Sequence, residues 1–403
     1  MQFVGKNGAL LLLLVVPFLW DVPTIFTVLE LNSMMPVNGG YYKWVNRALG
    51  FRWAFYEGWW TWLYSFTDLA IYPVLFVTYL SFFFPLIAVY KIPFCLIIIW
   101  GSAGLNILGI VPVGRVSIIL GTLILIPFFI LFGVTFFNHS FHFITPTLSL
   151  KGVGFTSIGM GLYTVMWNFL GWDNTTTYAG EVDKPVRSYL ISMGIAFVLV
   201  IVVYIITTYI TQNSGVDFKM LSDSGYPLLG IQSGRWLGAL LSLGGMASAL
   251  GIFSAVMLSI SRIPEAMADD KLLPVKFSIV HKRFNTPYIS IIVCATVVSF
   301  MVLWTFTDLL VIDVILYGAG LFLEFISLIV LRVKEPDAPR PFKIPLNIFG
   351  LCLMVILPMA VYIIALVAVF SQSGKMFTPA VFAVSALLTA EVAWLLVKWG
   401  KSR

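Results

Sequence analysis

An all-α polytopic membrane protein is the fold class that the sequence predicts, on three observations. Of 403 residues, 60% are hydrophobic and only 10% charged, with a mean hydropathy of +0.98, which leaves too little polar surface to solvate a soluble globule of this size. Apolar runs recur along the whole chain, each long enough for a hydrocarbon core that takes about 20 helical residues. The lysines and arginines are confined to the intervals between those runs and to the runs' ends, the pattern that membrane topology requires.

Taken in order, the runs predict eleven spans, at approximately residues 8 to 31, 51 to 84, 91 to 111, 114 to 137, 154 to 180, 188 to 211, 235 to 261, 286 to 306, 308 to 331, 346 to 370 and 376 to 398. The first is too long for the core of a signal peptide and lacks a small-residue cleavage site. Orientation follows from the basic residues. With the loop Asn38-Gly39-Gly40-Tyr41-Tyr42-Lys43 placed in the cytoplasm, 18 of the 24 lysines and arginines fall inside; Lys6, Lys91, Lys151, Lys219, Arg235 and Lys375 fall outside. That three-to-one bias puts the N-terminus outside and the C-terminus in the cytoplasm. An integral protein of the plasma membrane, in contact with the lipid bilayer, is the expectation.

The intervals agree with this map. Arg262 to Thr286 is the longest charged cytoplasmic loop, and Lys334-Glu335-Pro336-Asp337-Ala338-Pro339-Arg340-Pro341 ends a span with prolines that cannot continue a helix. Residues 212 to 234, with Gly215, Asp217, Asp223, Gly225 and Pro227, read as an external loop with room for a short helix. The small residues from Gly238 to Gly251 give one span a smooth face for close helix packing. Cys95, Cys294 and Cys352 lie in apolar runs without metal or redox spacing, so they read as small hydrophobes. The net charge of +6 is a loop property, and nucleic acid is not indicated as a partner.

One span departs from the apolar pattern. Trp167-Asn168-Phe169-Leu170-Gly171-Trp172-Asp173-Asn174 puts an acid, two amides and a glycine at membrane depth, where every unpaired polar group costs several kcal/mol. A helix opens its backbone there only against protein or a water-filled cavity, which makes residues 167 to 174 a candidate substrate site. The plainer reading is a polar helix face bonded to neighbouring helices.

Several stretches resemble one family, the amino acid, polyamine and organocation transporters, and within it the polyamine-uptake and L-type amino acid branch. Pro17-Phe18-Leu19-Trp20-Asp21-Val22-Pro23, with Glu30-Leu31 and Pro36-Val37-Asn38-Gly39-Gly40-Tyr41, is similar to that branch's second helix and its loop. Gly58-Trp59-Trp60-Thr61-Trp62-Leu63 and Asp68-Leu69-Ala70-Ile71-Tyr72-Pro73 resemble the third. Trp167-Asn168, Trp172-Asp173 and Ala179-Gly180-Glu181-Val182 resemble the broken sixth, and Leu316-Tyr317-Gly318, Leu323-Glu324-Phe325, Leu331-Arg332 and Arg340-Pro341-Phe342-Lys343-Ile344-Pro345 the tenth and its following loop. The likeness covers nearly the whole chain.

This resemblance implies an inverted five-helix repeat of the leucine-transporter type, with substrate near the midplane between broken helices 1 and 6. Residues 1 to 150 then hold helices 2 to 5 of the first repeat, 151 to 335 the second repeat with helices 6 to 10, and 346 to 403 two additional helices, in a single transmembrane domain. The first span matches the family's helix 2, so helix 1 is expected to lie upstream of Met1 in a longer reading frame, or else the chain is a degenerate member.

Within the resemblance, Asp173 matches an acid that cation-exchanging members carry. An ionised carboxylate in a partly dry cavity favours an ammonium partner, and the same group can exchange a proton against substrate. Capping of the second half-helix is the structural role open to it. Trp167, Trp172 and Tyr317 are placed to cover an alkyl chain or a cation, although aromatics at 16% of the chain are mostly packing. Asp68 and Tyr72 share one helix face, as do Tyr317 and Glu324. Asp21, Glu30, Glu57 and Asp313 are further acids within the spans, too many for the few bases there, and this excess favours a cationic substrate. Against a polyamine stands Val256, where plant polyamine members carry another acid.

The expected site therefore comprises Trp167, Asn168, Gly171, Trp172, Asp173, Asp68, Tyr72 and Tyr317, with Asp173 or Glu324 carrying a coupling proton, since no lysine stands in the fifth span to replace a sodium ion. No cofactor or metal is expected. His139 and His142 have metal-compatible spacing but lack clustered partners, and no nucleophile and base are paired, so an enzyme is disfavoured. A secondary transporter of amino acids or polyamines is the reading; the rival is a non-transporting membrane subunit of the same fold.

Overall fold

At 1.5 Å of rise per residue, only helices of about 20 residues satisfy all their backbone groups across hydrocarbon, and the chain builds them. The computed structural model describes residues 3–137, 148–214, 225–371 and 377–401, and among these nine helical stretches are long and apolar enough to cross a membrane. The first, Asn7–Met34, joins α1 (Gly5–Val16) to α2 (Val22–Met34) through a π turn at Pro17–Asp21. Then come the short α3 (Gly40–Leu49) and the long α4 (Phe51–Leu80), α5 (Lys91–Ile107) and α6 (Ile110–Phe137). α7 (Phe155–Trp167) stops early, and α8 (Pro185–Asn213), α9 (Pro227–Ile231), α10 (Arg235–Ile260), α11 (Arg262–Asp269), α12 (Tyr288–Met301), α13 (Phe306–Lys334), α14 (Ile348–Phe370) and α15 (Phe377–Lys401) follow.

Each expected span corresponds to one of these helices within a few residues, with two differences. The span at 286 to 306 is shorter, because Val302, Leu303 and Trp304 turn away after α12. The span at 154 to 180 is α7 followed by unwound chain and two 3-10 turns, Asn174–Thr177 and Ala179–Glu181, where a second α half-helix was expected. The reason is local: Thr176 and Thr177 donate their hydroxyls to the carbonyls of Asp173 and Asn174, which competes with helix formation. Tyr178 forms an isolated bridge with Asn38, and Gly39 N–H donates to the Thr177 carbonyl at 2.7 Å. Gly40 lies so close that a Cβ there would sit 2.4 Å from Thr176 Oγ1, so only glycine fits. Of the external loop, α9 is the short helix; Gly215, Asp217 and Asp223, like His139 and His142, lie outside the described residues.

Burial ranks the helices. In α13, 72% of the most apolar stretch is buried, and in α4 61%, against 11% in α6 and α8, whose Ile118, Phe129, Ile195 and Val198 point outward. α4 and α13 therefore form the middle of the bundle while α6 and α8 present apolar side chains to lipid. α10 lies against α4 and α6, and a Cβ on its Gly244 would be 3.0 Å from Pro127, the close approach that its small residues permit.

Loops rich in basic residues meet at one end. Arg332 grips Glu30 through two hydrogen bonds, of 2.5 and 2.6 Å, and Arg340 approaches the same carboxylate at 3.3 Å. Arg262 pairs with Glu181, Lys43 with Asp270, and Arg47 with Glu335, whose carboxyl the Arg47 hydrogen bonds hold below its ordinary value. These loops are all among those that the charge count assigns to one side.

Candidate substrate and proton site

The site grows from the end of α7. Gly171 turns the chain with φ +89°, a conformation that side-chain-bearing residues rarely adopt, and a Cβ there would meet Asn174 Nδ2 at 3.0 Å. The opened backbone is satisfied by protein hydroxyls. Ser259 of α10 donates to the Asn174 carbonyl, Tyr64 of α4 donates to the Asn174 side-chain oxygen, and Tyr189 of α8 donates to the Thr175 carbonyl at 2.5 Å. Non-helical chain at membrane depth needs such partners: α10 and α8 supply them to the backbone, and α4 holds the Asn174 side chain.

A cavity of about 270 Å³ lies beside the break. Asp68, Tyr72 and Tyr64 line it from α4, Asp313 from α13, Val256 and Ser259 from α10, Tyr204 from α8, and Trp167, Asn168 and Gly171 from the opened segment. A second cavity, about 360 Å³, shares Trp167, Asn168 and Tyr204 with the first and extends toward Tyr226 and Thr307, away from the basic loops. Trp167, its ring edge-on to Phe306 with centroids 5.6 Å apart, stands at the partition between the two. Among the described residues, neither lining contains a lysine, arginine or histidine. Asp68 accepts the Tyr72 hydroxyl at 2.8 Å; Asp313, 1% exposed, has no hydrogen-bond partner on either oxygen.

Below this cavity, toward the basic loops, a second group of acids is sealed in. Asp173, 2% exposed, accepts the Tyr317 hydroxyl at 2.9 Å. Glu57 accepts from Thr61 at 3.0 Å through one oxygen only, and Glu324 is buried with both oxygens unpartnered. Asp21, aimed by the π turn, accepts the Trp172 indole N–H at 3.1 Å.

The amino acid permease model matches residues 2–390. The chain belongs to the amino acid permease family. It is 32% identical over 360 residues to the polyamine transporter RMV1 of Arabidopsis thaliana, covering 88% of this chain and 72% of that one. Against the polyamine transporter PUT1 of Oryza sativa subsp. japonica it is 32% identical over 373 residues, 90% of this chain and 69% of the other. The serine/threonine exchanger SteT of Bacillus subtilis is 24% identical over 349 residues, 80% and 75% of the two chains. The protein is thus an integral membrane transporter of the permease family rather than an enzyme.

In this permease the expected site residues divide. Trp167, Asn168, Gly171, Asp68 and Tyr72 come together on the cavity wall. Asp173, Tyr317 and Glu324 gather in the sealed group, and Trp172 is engaged with Asp21. Asp173 immediately precedes the first 3-10 turn, yet its side chain caps nothing; its carboxylate is turned to Tyr317 instead. Glu30, counted among the unpaired acids by its position in a span, is in fact held by Arg332 and Arg340, which reach it from the loop side. Tyr64, Tyr204 and Ser259 are not singled out by the sequence, and Asn174 is marked there only as part of the stretch 167 to 174. Asn174 stood inside the anomalous stretch and was the readable signal; the other three are single polar residues in ordinary spans.

Proposed function

We propose that this permease carries a cationic amino acid or polyamine across the plasma membrane, by proton coupling or exchange, with its basic loops and C-terminus in the cytoplasm. The observation that carries the reading is the cavity beside the broken helix, lined by Asp68 and Asp313 with no basic side chain among its walls. A bound ammonium supplies the countercharge that the wall lacks, in surroundings where an ion pair is screened far less than in water. Tyr72 orients Asp68, and Trp167 and Asn168 close the cavity over an alkyl chain. The polyamine transporters among the relatives support the polyamine half of the reading, although Val256 leaves this cavity one acid poorer than the resemblance leads one to expect. Asp173 and Glu324 are assigned to the proton, since neither lines the cavity. The helices of residues 1 to 150 and 151 to 335 are assigned to the two repeats, with the cavity between them.

A counterflow screen in proteoliposomes tests this. Lumenal putrescine, spermidine, arginine or lysine should drive uptake of the same labelled compound, and one of them should compete best. Exchange of serine or leucine in preference to every cation would reject the cationic assignment, and silence toward all amino acids and polyamines would favour the non-transporting subunit.

A further inference from the structure

We propose that the seam between α4 and α13 is a built proton path, leading from the substrate cavity to a separate carboxyl site of Glu57, Glu324 and Asp173 that carries the transported proton; this rests on the transport reading above. The two central helices face one another with matched polar residues. On α4 they are Glu57, Thr61, Tyr64 and Asp68, spaced by four, three and four; on α13 they are Glu324, Gly320, Tyr317 and Asp313, with the same spacing in the opposite direction. Such spacing lines up one face of each helix. At the cavity end Asp68 and Asp313 line the same cavity. Next, the Tyr64 and Tyr317 rings meet edge to face, centroids 5.2 Å apart. Deeper still, Gly320 lies so near that a Cβ there would be 3.0 Å from Glu57 Oε1, and Glu324 faces Glu57 and Asp173.

An acidic group alone is no site, but a second observation points into this one. The Tyr41 hydroxyl of α3, fully buried and without a hydrogen-bond partner, lies within electrostatic reach of the same three carboxylates. The titratable groups facing Glu324 are therefore Glu57 from α4, Asp173 from the opened segment, Tyr41 from α3 and Tyr317 from its own helix, all acids or phenols. The nearest basic residue on α13, Arg332, is spent on Glu30. Three carboxylates so placed, with no cation, cannot all be ionised, and the protons they retain are shared among them. The step is a plain proton transfer: the Glu324 carboxylic acid gives its proton to the Asp173 carboxylate, leaving Glu324 ionised and Asp173 neutral. The Tyr317 hydroxyl, bonded to Asp173, and the Tyr64 hydroxyl, bonded to Asn174, tie that change to the segment carrying Gly171 on the cavity wall. Glu57 thereby becomes a coupling residue, and substrate and proton bind at different places.

The test uses the full chain in proteoliposomes with a lumenal pH indicator and putrescine or the best compound of the screen. Glu57→Gln and Glu324→Gln should each cut accumulation driven by a pH gradient at least tenfold and abolish the accompanying proton flux. Counterflow at equal pH should stay within about twofold of the unaltered protein, and Glu324→Asp should restore part of the coupling. Gradient-driven accumulation with unchanged proton flux in both Gln variants would overturn the proposal, and so would equal loss of counterflow and coupling in correctly folded protein. Should the unaltered protein transport nothing, the transport reading fails separately. The carboxyl site is then read by infrared titration: a protonated-carboxyl band lost in Glu324→Gln supports shared protons there, and an unaltered band overturns them.

Discussion

Glu30 and Glu324 are both buried glutamates on bilayer-crossing helices, and their surroundings could hardly differ more. Glu30 receives two hydrogen bonds from Arg332, a further contact from Arg340 and the Ile344 backbone N–H at 2.8 Å. Glu324 meets no base, and its neighbours are the acids Glu57 and Asp173. The same contrast separates two regions of the molecule: at the basic-loop end Glu181, Asp270 and Glu335 each meet a base, whereas in the interior Asp68, Asp313, Asp173 and Glu57 meet none. A paired buried acid cannot lose its base without cost to the fold, whereas on the proposed function the acids without a base take their positive charge from what the protein carries. The distinction divides the buried carboxyls into paired and unpaired without reference to any relative.

The largest expected effect tests the structural side. Arg332→Leu leaves the Glu30 carboxylate buried with the weaker Arg340 contact and the Ile344 N–H, and breaking one partner of a buried pair costs about 3–5 kcal/mol. The thermal midpoint in detergent should fall sharply and expression with it. Glu324→Gln, which replaces an unpaired acid by its neutral isostere, should leave that midpoint unchanged or raise it, because no partner is orphaned. Equal destabilisation by the two variants would erase the comparison.

On the transporting side, Asp313→Asn removes a cavity carboxylate that touches no protein donor. Losing one member of a desolvated charge pair costs about 2–5 kcal/mol, which corresponds to roughly thirtyfold or more in apparent affinity for the cation. Concentration-dependent uptake measures it, alongside a thermal midpoint that should not fall. An affinity within twofold of the unaltered protein would remove Asp313 from the site.

These variants also mark how far the sequence could be read. Span positions were legible because lipid imposes length and apolarity on every helix, and the anomaly at residues 167 to 174 was legible because acid, amide and glycine have no place in a lipid-facing run. Partnership was not. Glu30 and Glu324 look alike in sequence, and what separates them is the last turn of α13 with the loop after it, far along the chain from Glu30, in one case and the packing of α4 against α13 in the other. The second half-helix was misjudged because Thr175, Thr176 and Thr177 can continue a helix or bond its carbonyls, and the bridge to Asn38 decides between them. Ser259 and Tyr204 carried no signal at all, since each is an isolated polar group whose meaning comes from the helix it faces.

A smaller effect is expected where backbone and cavity meet. Any side chain at Gly171 takes up a left-handed conformation costing on the order of 1–3 kcal/mol, and Gly171→Leu also projects into the cavity wall. Uptake should fall more than stability, while Gly50→Ala, at a similar φ in a loop with open space around it, should cost stability alone. Unaltered affinity in Gly171→Leu would mean that the opened segment is not part of the binding surface.

The smallest effect sharpens the distinction most finely. Val256 lies on the cavity wall with Asp68 and Asp313, so Val256→Glu adds a third carboxylate to a lining that holds no base. If those acids do bind ammonium groups, the new one should favour substrates with more than one positive centre, improving spermidine relative to a monocation by a few-fold, within about tenfold. The gain is limited because a buried carboxylate must be desolvated before substrate arrives, and some of it will be held protonated at neutral pH. The preference should therefore grow as the pH is raised and the new acid ionises. Competition between spermidine and lysine at two pH values reads both effects, and a shift toward neutral amino acids would show that charge in this cavity does not select the cargo.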